Sequence, residues 1–327
     1  MTNPPKKTIF ITGAHGYIGT SLTRLALTSP SPQYTVRGLS RNALSDAKLT
    51  SLGATPVRGD LTNLSLLRDE AAAADIVIHL ADPFDHDLSR GYDHVVRAQR
   101  AIADAFADGM AGTGKPLVMT SGTLMAAPDP TGGETDETAP YPEYPFISRH
   151  LVEQYDLSLA RKGIRVSSIR LAPYVYGHGG SGVRMFMQIS IGKGEVIVVD
   201  GGKAVTSTVH VDDAARLYLL AAEKAPAGSL YNATNATNIT NLELAEAISE
   251  VTGVPVKQYT FAEAAEKIGP FFARFLCSSS RASSAKAKKE LGWEIKEKVG
   301  ILEDIKHGSY VAVAKEMEAN PTPAAAH

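Results

Sequence analysis

The chain has 327 residues and a mass of 34.7 kDa, with 44% hydrophobic and 21% charged residues and a formal net charge of -2. That is the balance of a globular protein able to bury a large core, and it excludes a basic footprint for nucleic acid or a solvated acidic tail. The single cysteine, Cys277, excludes an intrachain disulfide, fits a reducing compartment and reads as a small half-buried apolar residue.

The opening stretch MTNPPKKTIFITG holds no apolar segment ahead of its first strand, and no apolar run approaches the roughly 20 residues that span a bilayer. The expectation is a cytoplasmic protein with neither membrane nor nucleic-acid partners. From there the first half alternates short β-branched runs with helical periodicity. Strands are predicted at KTIFIT, YTVRGL, ATPVRG, DIVIHL, PLVMTS and RVSSIRL. Helices are predicted at YIGTSLTRLALT, ALSDAKLTSL, NLSLLRDEAAA, DHVVRAQRAIADAFA and FISRHLVEQYDLSLARKG, the last ending at Gly163 as a C-cap. Such alternation predicts an α/β fold: a Rossmann-type doubly wound parallel sheet over residues 7–171. After Leu171 the alternation breaks, which predicts a smaller C-terminal α+β substrate lobe over 172–316, with some chain crossing back to the sheet. Gly177, Gly179, Gly180 and Gly182 read as a flexible stretch, and residues 317–327 as a disordered tail. The sequons at Asn232, Asn235 and Asn238 fall in NATNATNIT, read as a polar turn whose Thr240 caps the helix NLELAEAISE.

ITGAHGYIGTSL follows the first strand and opens the first helix. Gly13, Gly16 and Gly19 space it for a tight turn, for pyrophosphate approach to the helix N-terminus and for close helix-sheet packing, with His15, Tyr17 and Ile18 between them. The second strand ends in Ser40 and Arg41 where a ribose-binding acid would stand. That favours a 2′-phosphate and hence NADP, with NAD the weaker choice. Asp60 and Leu61 after the third strand suit adenine, and Leu80 and Ala81 after the fourth put small apolar groups beside the cofactor. Phe84 and His86 in DPFDHD are pocket candidates.

In this order, TGAHGYIG, GDL, IHLA, TSGT, IRLAPYVYG and VHVDDAARLY resemble the extended and atypical branch of the short-chain dehydrogenase/reductase superfamily, which includes the NAD-dependent epimerase/dehydratase family. The resemblance spans roughly residues 7–310. It implies a small-molecule substrate, is compatible with a homodimer, and places a Y-x-x-x-K dyad on the helix after the fifth strand. Here that motif is absent: aligned on SRHLVE, Ser148 and Glu153 keep their places while Pro145 replaces the tyrosine and Arg149 the lysine. By resemblance Ser121 and Thr123 orient the substrate oxygen, Thr120 and Arg149 lie against the cofactor, and Ala172, Pro173 and Tyr174 line its nicotinamide end. Tyr176 and His178 then face substrate. Tyr144 and Tyr174 are the candidate stand-ins for the missing acid, while His210 and Asp212 are read as the start of a helix, with the aspartate as its N-cap. Three functions fit: an NADP(H)-dependent oxidoreductase on a carbonyl or alcohol, a non-redox isomerase, epimerase or dehydratase, and a catalytically inactive NADP(H)-binding sensor.

Overall fold

The computed structural model describes residues 6–30, 33–84, 91–143, 145 and 147–320. Its first part runs β1 (Lys7–Thr12), α1 (Tyr17–Thr28), β2 (Tyr34–Ser40), α2 (Ala43–Ser51), β3 (Thr55–Arg58), α3 (Leu64–Ala73), β4 (Ile76–His79), α4 (Asp93–Met110), β5 (Pro116–Gly122), α5 (Arg149–Ser158) and β6 (Arg165–Leu171). There follow β7 (Tyr174–Tyr176), α6 (Ser181–Lys193), β8 (Val196–Val199), β9 (Val205–His210), α7 (Val211–Lys224), β10 (Ser229–Ala233), β11 (Ala236–Thr240), α8 (Asn241–Thr252), β12 (Val256–Tyr259), α9 (Phe261–Leu276), α10 (Ala285–Leu291), α11 (Ile301–His307) and α12 (Ser309–Ala319).

Seven parallel strands form the main sheet in the order β10-β6-β5-β4-β1-β2-β3. Helices on both faces explain why the inner strands read as unbroken apolar runs: Ile9, Phe10 and Ile11 in β1 are all fully buried. Chain order reverses between β1 and β4, so a crevice opens at their C-terminal ends, where this architecture binds ligands. The helices present apolar stripes at three- and four-residue spacing. On α4 the buried set Val95, Gln99, Ile102, Phe106 and Met110 follows that period.

The later elements divide. The α7 helix packs on α1 and β10 extends the sheet; Ala214, Leu217, Tyr218 and Trp293 belong to the same core cluster as Ile9 and Leu22. The rest forms the smaller lobe, with a three-stranded sheet β11-β9-β7, a two-stranded sheet β12-β8 and its own core around Tyr174, Phe186, Leu244 and Ile305. No described helix is long and apolar enough to cross a membrane.

Four local expectations change. The α5 helix begins at Arg149, so Pro145 lies ahead of it, outside its first turn. NATNATNIT holds the end of β10 and all of β11, with Asn232 buried in β10, because its backbone pairs with β6 and β9; Thr240 does cap α8, in a capping box with Glu243. The glycine stretch is tied down: Gly177 N–H donates to the Tyr310 hydroxyl at 3.1 Å, Gly179 N–H to Ser309 Oγ at 2.8 Å, and the Tyr310 hydroxyl to the Gly180 carbonyl at 2.9 Å. The presumed tail is helical to Ala319, because Met317 is buried in the smaller lobe.

Candidate active site

The glycine loop stands at the crevice. Gly13 has φ +76, and a Cβ there would come within 3.0 Å of the Ala81 nitrogen, so only glycine lets the turn lie against the end of β4. A Cβ on Gly19 would lie 2.0 Å from the Gly13 carbonyl oxygen; its absence lets α1 start flush against the loop. The N-terminus of α1 has no acidic residue in its first turn and no side-chain cap, which leaves its amides and partial positive charge for an anion.

Three basic groups surround that end. The His15 pKa is lowered by burial and by the neighbouring charges of Lys48 and Arg41, and its Nδ1 is buried with no hydrogen-bond partner among the described residues. Lys48, on α2, also lines a small cleft with Gly16, Tyr17, Thr20 and His178. This lysine escaped the sequence reading, since a lysine within a helical period reads as a solvated face. The helix start and the glycine turn, beside two cations and the His15 imidazole, fit a dinucleotide's phosphates. Asp60 is held below the usual carboxylate range by Thr62, whose hydroxyl and amide both donate to it. Leu61 and Leu80 rest against the two flanking cores.

Several expected contacts have other partners. Ser40 is fully buried, and its hydroxyl donates to the Asn42 carbonyl at 3.2 Å, shaping the turn into α2. The Tyr17 hydroxyl donates to the Gly177 carbonyl at 2.7 Å, joining α1 to the smaller lobe, while Ile18 and Ala172 join the core cluster of β1. Pro173 is partly exposed between β6 and β7. Thr120 donates to the His79 carbonyl at 2.7 Å and pairs with the Tyr218 hydroxyl at 2.8 Å, so its side chain braces β4, β5 and α7. Thr123 is buried and accepts from Ser280 Oγ at 2.8 Å, a partner from beyond α9 that no local pattern signals. Ser121 differs: it too is buried, yet its Oγ has no partner among the described residues.

The largest departure is Arg149. Its guanidinium pairs with Asp82, donates to the Thr120 carbonyl at 3.1 Å and reaches the Tyr92 hydroxyl at 3.4 Å. The expectation that Arg149 reaches the cofactor therefore gives way to protein partners, two of which, Asp82 and Tyr92, the sequence did not single out. Arg149 keeps Asp82 below the ordinary carboxylate range against the effect of burial. Behind it, Glu153 and Arg170 form a bidentate buried pair at 2.6 and 2.8 Å, with the Tyr141 hydroxyl donating to Glu153 at 3.0 Å. Asp156 is buried nearby, and burial pushes its pKa well up.

Tyr174 is core: 3% exposed, packed on Phe186 and Phe275, its phenol pKa raised by burial. Tyr176 is core as well, donating to the Val299 carbonyl at 2.8 Å. Both were expected at the ligand; their strand β7 turns them into the smaller lobe instead. His178 is 57% exposed in its side chain, 2.8 Å from Asp212, on the glycine-loop side. Asp212 is not the cap of α7: His210 is, its Nδ1 accepting from the Asp212 amide at 3.2 Å. Phe84 lies at the site, edge-on to Tyr92 at 5.4 Å and 5.6 Å from Phe271 of α9. Tyr144 and His86 lie outside the described residues.

The profile of the NAD dependent epimerase/dehydratase family matches residues 9–234, from β1 through β10. The chain belongs to that family. A protein of uncharacterised function from Schizosaccharomyces pombe is 34% identical over 88% of this chain and 94% of its own length. The 4-hydroxy-2-methyl-3-oxo-4-farnesyl-3,4-dihydroquinoline-1-oxide ketoreductase of Stigmatella aurantiaca is 26% identical over 87% and 91%. Among solved structures, UDP-glucose 4-epimerase of Thermotoga maritima with UDP-glucose superposes with a TM-score of 0.72 at 22% identity, over 95% of this chain and 99% of that one. The Thermus thermophilus epimerase in complex with NAD gives 0.73 at 21% identity, over 94% and 99%. These structural likenesses establish the shared fold, a Rossmann-type parallel sheet flanked by helices.

Proposed function

We propose that the protein is an NADP(H)-dependent oxidoreductase that interconverts a carbonyl and an alcohol on a small, partly apolar molecule. The observation that carries the reading is the Ser121 hydroxyl at the C-terminal end of β5, buried beside the crevice and without a partner among the described residues. Among the described residues, the neighbouring Thr120, Thr123 and Arg149 side chains are taken up by protein partners, which leaves the Ser121 hydroxyl to bind a substrate oxygen. The glycine loop and the start of α1 would hold the pyrophosphate, and His15, Arg41 and Lys48 the 2′-phosphate; when bound, NADPH supplies the hydride. Phe84 and Phe271 give the pocket an aromatic wall suited to an apolar substituent. The ketoreductase relative supports the redox reading over epimerisation.

The inactive-sensor reading draws on Pro145 standing in the tyrosine place. One experiment separates the two: NADPH absorbance followed with a panel of benzaldehydes, acetophenones and aliphatic ketones. Substrate-dependent loss of NADPH supports the oxidoreductase. Tight NADPH binding without any turnover refutes it and leaves the sensor.

A further inference from the structure

We infer that Tyr92 is the proton donor to the substrate oxygen, with Arg149 as the positioning residue that holds its hydroxyl; this rests on the oxidoreductase reading. Tyr92 precedes the first turn of α4 and has no place in the family's sequence motif. Its ring is 7% exposed, fixed by Val95, Val96 and Val152 and by the edge of Phe84 at 5.4 Å. The hydroxyl accepts from Arg149 Nη1 at 3.4 Å and, among the described residues, donates to none, so its proton is uncommitted. One guanidinium spans the distance from that hydroxyl to the Thr120 carbonyl, immediately before Ser121. A phenol beside a fixed cation is what the lost tyrosine and lysine would have provided, assembled here from two helices instead of one turn of helix.

Among the described residues, the charged groups facing the phenol are Arg149 on α5 and Asp82 after β4. Burial raises its pKa, Arg149 opposes the rise and Asp82 adds to it, so Tyr92 stays protonated at neutral pH. In the reduction, hydride adds to the carbonyl carbon and the C=O π pair moves onto oxygen. The Tyr92 O–H bond breaks to form the alcohol O–H, and solvent returns a proton to the phenolate, which Arg149 stabilises meanwhile. NADPH is the two-electron reductant and NADP+ its oxidised form.

Tyr92→Phe tests the inference. Reduction of the best carbonyl substrate from the panel should fall at least ~100-fold in kcat with NADPH affinity unchanged. Alcohol oxidation, which needs the phenolate, should rise with pH in the wild type up to at least about pH 10 and lose that slope in the variant. A readout independent of turnover is 13Cζ-tyrosine NMR of the cofactor-free protein: the Tyr92 signal, assigned by its loss in Tyr92→Phe, should ionise at lower pH in Asp82→Asn. Near-normal turnover with an unchanged pH slope in Tyr92→Phe, or no shift of the Tyr92 titration in Asp82→Asn, overturns the assignment while leaving the oxidoreductase standing. A wild type that reduces no carbonyl compound overturns both.

Discussion

Arg149 shows how one residue's chemistry changes with its company. As a lysine it could shed a proton; as arginine it stays charged, and the fold commits it to Asp82, Tyr92 and the Thr120 carbonyl. At the other end of the crevice, the proposed function assigns Lys48 and Arg41 to the 2′-phosphate that NAD lacks. Arg41→Ala and Lys48→Ala are each expected to weaken NADPH by about 1.5–3 kcal/mol, the worth of a charge-assisted hydrogen bond, while leaving NADH unaffected. Calorimetric titration of both nucleotides checks this, and an unchanged preference in both variants removes the 2′-phosphate assignment. His79 makes a prediction about stability. It is fully buried between Thr12 at 2.6 Å and Gln99 at 3.0 Å, and burial lowers its pKa to about 4. The unfolded chain binds a proton at about pH 6.5 that the folded one refuses. Stability is therefore complete above that value and falls as pH drops towards 4, by up to about 3 kcal/mol. Urea unfolding across this range should show a shallower pH dependence in His79→Gln than in the wild type; equal slopes would contradict the assignment.

At the level of elements, α5 and β6 are joined by the buried Glu153 and Arg170 pair. Removing one partner strands the other charge: Glu153→Leu should cost about 3–5 kcal/mol, and Glu153→Leu with Arg170→Met should recover much of it. Chemical denaturation of the single and double variants measures the difference. Gly19→Ala should push α1 off the Gly13 carbonyl and weaken nucleotide binding, with helix content retained in circular dichroism. Six of the seven strands of the main sheet, β1 to β6, and the helices between them were legible because burial on both faces leaves continuous apolar runs, and buried stripes recur at helical spacing. The two strands in NATNATNIT were not, since pairing partners distant in the chain decide their state. Nor was the start of α5 at Arg149, past the position that the family motif assigns, in a stretch where Pro140, Pro142 and Pro145 disfavour an earlier helical start.

Over the whole molecule, the glycine-loop end of the crevice follows local sequence signals and the proposed catalytic end does not. The glycine loop, Arg41 and the β4 terminus follow one another in the chain at fixed offsets from strands, so sequence spacing alone places them. The proposed catalytic end is assembled from residues far apart: Asp82 after β4, Tyr92 before α4, Ser121 ending β5 and Arg149 opening α5, with Ser280 reaching back to occupy Thr123. Tyr174 and Tyr176, plausible from their place after β6, serve the smaller lobe's core because β7 joins β9. The lobes are fastened through the glycine stretch by Tyr17 and Tyr310. Tyr17→Phe should lower stability by about 1 kcal/mol, visible as a reduced denaturant midpoint with an unchanged slope. The account as a whole stands on redox chemistry at this crevice, and the most direct measurement is NADPH consumption by the wild-type protein across aromatic and aliphatic carbonyl compounds. The account predicts substrate-dependent oxidation of NADPH, slower with NADH, with formation of the matching alcohol; NADPH bound tightly but never oxidised by any of them would contradict it.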